Sequence, residues 1–132
     1  MKGIRTKAGF TLIEVILTMV ILSISIGPLS LLIVNVVRQN VLSQAQATSA
    51  SLAEQEMERL TNIRFSSVTD EAQTAFPAPF SAYSHEVIVD YVNAGDLNTP
   101  VTGPTDYKRA QIIVRNDISG ALTLETLVTN DW

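Results

Sequence analysis

Apolar and polar positions alternate in two different ways along this chain, and one long stretch does not alternate at all. From Phe10 to Val37, 28 residues carry one formal charge, Glu14. Leu12, Ile13, Val15, Ile16, Leu17, Met19, Val20, Ile21, Leu22 and Ile24 place apolar side chains on every side of a helix. Such a helix is a membrane span or the core of an assembly. About 20 predominantly apolar residues suffice to cross a bilayer, whereas 10–14 suit a signal-peptide core or a buried helix. Gly27-Pro28 falls inside the run, and a proline removes a backbone donor and clashes one turn back. A helix break is therefore expected at Gly27 and Pro28, tolerated in a membrane when local unwinding or neighbouring helices satisfy the freed groups.

From Arg38 to Ile63 the helical signal persists in another form. No Gly or Pro occurs, and Leu42, Ala45, Leu52, Met57, Leu60 and Ile63 recur largely at three-, four- or seven-residue steps, with Gln44, Gln46, Glu54, Glu58 and Arg59 on the other face. This is one stripe of an amphipathic helix. A helix from Phe10 to Ile63 would hold 54 residues and run roughly 80 Å. Its second half should pack on whatever follows.

Residues 64–84 read as a loop in which Phe76-Pro-Ala-Pro-Phe80 favours extended or turn geometry. Period-two alternation then takes over. His85–Val92 sets Val87, Val89 and Tyr91 against Glu86, Ile88, Asp90 and Val92, the first set making the better core face. The segment 93–106 is dense in turn residues. Tyr107–Arg115 and Ala121–Asn130 alternate again around Asn116-Asp-Ile-Ser-Gly120, a hairpin turn in which Gly120 can take positive φ. The fold class is α+β: a long N-terminal helix packed on a small C-terminal antiparallel sheet of three to four strands. The expected division is 1–9, 10–37, 38–63 and 64–132, the last being a loop and sheet domain.

Composition narrows the function. The chain has 132 residues and a net charge of −4, with no cysteine, so neither a disulfide framework nor a thiolate metal site is available. Lys2, Arg5 and Lys7 all precede Gly9, and without residues 1–9 the balance is six cations against 13 acids. Nucleic-acid binding through a basic surface is therefore not expected. Cations before an apolar span stay cytoplasmic, which puts the N-terminus inside and the remainder across the membrane. An ordinary secretory signal is the competing reading of the first residues, but its core is about 7–15 residues. The Ala45-Gln46-Ala47 triplet that would suit signal peptidase lies well beyond the apolar run.

Enzyme signatures are missing. No Gly-rich phosphate loop, GxSxG elbow or paired metal-ligand motif occurs, and no cofactor is expected. The chain's one histidine, His85, reads as a surface or loop imidazole at a strand's start, and Asp96 and Asp106 as turn residues. Tyr83, Tyr91, Tyr107 and Trp132 are too scattered to form a stacking platform. Glu14 stands apart. A full charge at the bilayer centre is penalised by about 2.5–3.5 kcal/mol even on insertion scales. Either it stays hydrated near the cytoplasmic face or it pairs with a group on another chain.

Lys7-Ala-Gly9-Phe10-Thr-Leu-Ile-Glu14-Val15, with a basic segment before it and an apolar helix after it, resembles the leader motif of type IV pilins, minor pilins and the pseudopilins of type II secretion. The resemblance covers about residues 7–32. Ser51–Leu60 and the last hairpin are most similar to minor pilins of the PilV or MshD type. It implies cleavage between Gly9 and Phe10 by the prepilin peptidase/methylase, N-methylation of Phe10, and residence in the inner membrane before passage into a pilus or pseudopilus in the periplasm or at the cell surface. It also implies that Glu14 of one subunit meets the Phe10 amine of another, fixing register between helices, and that Gly27 and Pro28 loosen locally on packing. Many pilins close a C-terminal loop with a disulfide, which this chain cannot do. The partners implied are that enzyme, other pilin or pseudopilin subunits and the inner membrane. The alternative is a signal-anchored surface binding or adhesion module at a filament tip, with contacts in loops 66–83 and 93–106.

Overall fold

A computed structural model describes residues 9–130 of the chain. One helix, α1 (Leu12–Thr61), is followed by a 3-10 turn (Phe65–Ser67) and four strands: β1 (Glu71–Ala75), β2 (Tyr83–Val92), β3 (Tyr107–Asn116) and β4 (Gly120–Thr129). The strands form one antiparallel meander in the order β1-β2-β3-β4. Internal contacts divide the chain into a unit ending at Asn40 and a second beginning at Val41.

Within the second unit the core lies between one helix stripe and one sheet face. Leu52, Ala53 and Leu60 of α1 meet Phe76, Val87, Ala110, Ile112 and Val114, with Met57, Ile63, Leu122 and Leu124 packed alongside. Strand register produces this face directly. Val87 opposes Ile112, which opposes Leu124, and His85 opposes Val114, which opposes Leu122. Alternate residues of β3 are buried from Lys108 to Asn116, as a half-buried strand requires. Fully burying each Leu, Ile or Val side chain is worth about 1.5–3 kcal/mol, which holds helix stripe and sheet together.

Four sequence expectations change. Residues 71–75, expected in a loop, form β1. Glu-Ala-Gln-Thr-Ala contains one β-branched residue and is mostly exposed, so neither propensity nor alternation marks it. It is a short edge strand with a register shift between Glu71 and Thr74. Leu42, expected on the buried stripe, is exposed, whereas Ser49 and Ala53 are buried. Small side chains at these positions bring helix and sheet close, and Ser49 Oγ lies 3.3 Å from Ser119 Oγ in the β3–β4 turn. Val92, assigned to the outer face of β2, is buried. There the following loop returns, with the Thr105 hydroxyl donating to the Val92 carbonyl at 2.7 Å. Finally, α1 runs without interruption through Gly27 and Pro28, so the chain taken alone has no helix break there. A proline removes one hydrogen bond from the ladder, and the turns on either side are complete enough to carry the helix past it. Gly120 takes φ +78°, as its place in the hairpin turn requires.

Candidate functional site

The first unit presents the residues that the sequence singles out. Gly9 and Phe10 precede the first helical residue, Leu12, and both are exposed, Phe10 at 80%. Space around Gly9 is open, with nothing within 4 Å of where a Cβ would stand. The Gly9–Phe10 bond is therefore accessible backbone outside any helix. The Lys2, Arg5 and Lys7 cluster lies outside the described residues.

The first turn of α1 closes on Thr11, whose carbonyl accepts from the N–H groups of Glu14 at 3.1 Å and Val15 at 3.2 Å. Glu14 thus sits in the first turn, where the unsatisfied N–H groups of a helix favour negative charge. Its side chain is exposed and has no hydrogen bond or ion pair among the described residues. Around and beyond it, the large apolar residues from Leu12 to Val37 are exposed on all sides of the helix. Length and composition make this helix able to cross a membrane.

Hydroxyl groups in the same segment are satisfied internally. Thr18 Oγ1 donates to the Glu14 carbonyl at 2.8 Å, Ser23 to Met19 at 2.7 Å, Ser25 to Ile21 at 2.7 Å and Ser30 to Ile26 at 2.9 Å. Each bond turns a polar side chain back onto its own helix, which suits apolar surroundings where no water is at hand. The sequence reading passed over these four residues. Their signal was a small hydroxyl every few positions in a run whose other polar residues are Thr11, Glu14 and Asn35. Gly27 and Pro28 follow Glu14 by 13 and 14 residues, about 20 Å along the helix axis. They are placed apart from the Gly9–Phe10–Glu14 end.

Other candidates take structural places in the second unit. His85 lies inside β2, not at its start, and its ring packs against Phe76 with centroids 4.7 Å apart. Its Nε2 stands 3.9 Å from Glu71 Oε2. Arg59 joins two elements there, Nε bonding Glu56 Oε2 and Nη2 bonding Glu71 Oε2, both at 2.6 Å. The Glu71 and then the Glu56 hydrogen bonds raise the pKa of the guanidinium above its ordinary value. Asp96 Oδ1 accepts from the N–H groups of Asn98 at 3.0 Å and Thr99 at 3.3 Å, a turn built on its side chain. Tyr91 meets Phe65 edge-on at 6.5 Å, and Tyr83 meets Phe80 edge-on at 6.4 Å. Asp106 Oδ1 accepts from Asn130 Nδ2 at 3.3 Å. Trp132 lies outside the described residues.

No curated protein and no solved structure matches the chain. One family model does, over the segment that holds the junction, the first-turn acid and the beginning of the apolar helix: residues 4–30 carry the prokaryotic N-terminal methylation motif.

Proposed function

We propose that this chain is a structural subunit, a minor pilin or pseudopilin, that enters a type IV pilus or a type II secretion pseudopilus. The prepilin peptidase/methylase cuts between Gly9 and Phe10 on the cytoplasmic face and methylates the new amine of Phe10. The apolar part of α1 holds the subunit in the inner membrane, N-terminus inside, until it is drawn into the filament.

The observation that carries this reading is the exposed Glu14, without a partner among the described residues, one turn beyond the Gly9–Phe10 junction, on a helix whose apolar side chains are uncovered on every side. Packing those helices together buries the carboxylate. Left alone in an apolar surrounding it would be strongly penalised, and a cation removes most of that penalty. Processing creates a cation, the Phe10 amine, and helix geometry makes it awkward for Glu14 to reach the terminus of its own chain. A neighbour's amine then fixes axial register between otherwise featureless apolar rods, a role for which buried polar groups are well suited. Mass spectrometry of the mature protein is expected to find N-methylated Phe10 as the first residue. Glu14→Ala is expected to be processed and membrane-inserted normally yet be absent from sheared filaments. Its incorporation at the wild-type level would refute the registry role.

A further inference from the structure

Glu56, Glu71 and His85 come from α1, β1 and β2, and each offers one ligand atom, the three lying within 4.8 Å of one another. All belong to the second unit. The register explains the meeting. Glu71 opposes Val87, a core residue, and His85 lies two positions from Val87, so both side chains leave the sheet on the helix side. The bulge between Glu71 and Thr74 sets the local direction of Glu71 on an edge strand.

The state of His85 is a separate observation. Its side chain is only 15% exposed. Its Nδ1 is buried without a hydrogen-bond partner, and its Nε2 stands 3.9 Å from Glu71 Oε2, beyond hydrogen-bond reach. Buried polar side-chain atoms are nearly always bonded to something. With Nε2 facing Glu71 and Nδ1 bonded to nothing among the described residues, the ring has both nitrogens free to bind a metal ion.

We propose that Glu56, Glu71 and His85 bind a single divalent cation of the zinc class, which ties the second half of α1 to the edge of the sheet. One imidazole nitrogen and two carboxylate oxygens suit zinc and its first-row neighbours, whereas calcium and magnesium favour oxygen alone. Tetrahedral zinc with bonds of about 2.0–2.1 Å separates its ligand atoms by roughly 3.3–3.4 Å, so the cluster has to contract by about an ångström. Water completes the coordination. Arg59 already bonds Oε2 of both glutamates, and Oε2 of Glu71 is the oxygen 3.9 Å from His85, so the cation takes the second oxygen of each carboxylate. It serves as the outer partner that orients both carboxylates. The cation cross-links residues 56, 71 and 85 in a chain that has no cysteine with which to do so.

The test uses the full, tag-free chain in detergent micelles, titrated with zinc chloride, with magnesium chloride as the control. Since His85 is the chain's one histidine, its ring resonances report imidazole ligation without ambiguity. The expected result is saturation at one equivalent, displacement of the His85 ring resonances, and visible absorption when cobalt(II) replaces zinc. His85→Ala and Glu71→Gln are each expected to weaken zinc binding at least tenfold while circular dichroism retains the sheet. His85 resonances that do not move at saturating zinc overturn the proposal, as does unchanged affinity in the correctly folded Glu71→Gln protein.

Discussion

Lys108 offers the sharpest test of how the sheet domain is held together. It lies on the core face of β3 and is 4% exposed. Its Nζ donates to the Phe65 carbonyl at 2.9 Å and to the Val68 carbonyl at 2.7 Å. It also stands 4.7 Å from the Phe65 ring centroid and 5.1 Å from that of Tyr91. One ammonium therefore fastens the 3-10 turn after α1 to the third strand. Lys108→Met retains most of the side-chain volume and removes charge and donors together. A hydrogen bond from a charged group contributes about 1.5–3 kcal/mol, and a cation over an aromatic face about 0.5–2 kcal/mol. Against these stands the desolvation of the ammonium, on the order of several kcal/mol.

The balance is decided by the two carbonyls left behind. The bond to Phe65 is partly exposed, so water replaces much of it, whereas the bond to Val68 is buried. An unsatisfied buried acceptor costs about 1–3 kcal/mol. The expected net destabilisation is about 1–3 kcal/mol. For a domain of this size about 1 kcal/mol corresponds to roughly 4–8 °C in Tm. Thermal unfolding of the full chain in micelles, followed by near-ultraviolet circular dichroism of the tyrosines, measures it, with Tyr91 beside the substituted site. A Lys108→Met protein as stable as the parent, or more stable, would refute the reasoning. It would show that burying the charge costs as much as its bonds return.

Three further outcomes can be checked by the same assay. Ile112 is fully buried in the centre of the sheet, and Ile112→Ala is expected to lose about 2–5 kcal/mol. Gly120 takes φ +78° with open space where a Cβ would stand, so Gly120→Ala should lose about 1–2 kcal/mol from backbone strain alone; no loss would mean that the turn readily adopts another form. The Thr99 hydroxyl and the Asn98 amide hold the Asp96 carboxyl below the ordinary aspartate range. A depressed folded pKa adds stability that is present above the unfolded value and lost as pH falls through the folded one. Asp96→Asn should therefore be less stable than the parent near pH 6, with the difference vanishing as the solution is acidified through the range where Asp96 takes up its proton.

How much of this was legible in the sequence depends on how local the determinant is. The apolar run needs no partner to be recognised, and neither does the alternation of β3, where every second residue from Lys108 to Asn116 is buried as the pattern requires. Gly120 is read from its own backbone freedom. What escaped depends on contacts distant in sequence. β1 is a strand because β2 lies beside it, not because Glu71–Ala75 favours extension. Ser49 and Ala53 are buried because small side chains let the helix approach the sheet, although neither is strongly apolar. Lys108 was visible as one residue in an alternating strand, but its acceptors lie 40 and 43 residues earlier. The grouping of Glu56, Glu71 and His85 needs the helix stripe, the edge strand and the bulge all to be in place.

The uninterrupted helix at Gly27–Pro28 bears on the proposed assembly in a particular way. Proline has no N–H, so the Ile24 carbonyl one turn earlier receives no ladder hydrogen bond from position 28. Glycine beside it adds about 1 kcal/mol of unfavourable helix propensity relative to alanine. Unwinding this turn therefore loses one ladder hydrogen bond fewer than unwinding a turn without proline, although the Ser30 hydroxyl bonds the Ile26 carbonyl across it as Thr18, Ser23 and Ser25 bond carbonyls elsewhere. The sequence alone does not open the turn, since the single chain keeps it helical. A force from outside the chain is needed, and in the proposed filament the close approach of neighbouring helices would supply one. In the assembly proposed above, Glu14 and the Gly27–Pro28 turn would divide the labour: the acid would fix where a neighbour stops along the axis, and the weak turn would let the backbone adjust to that position.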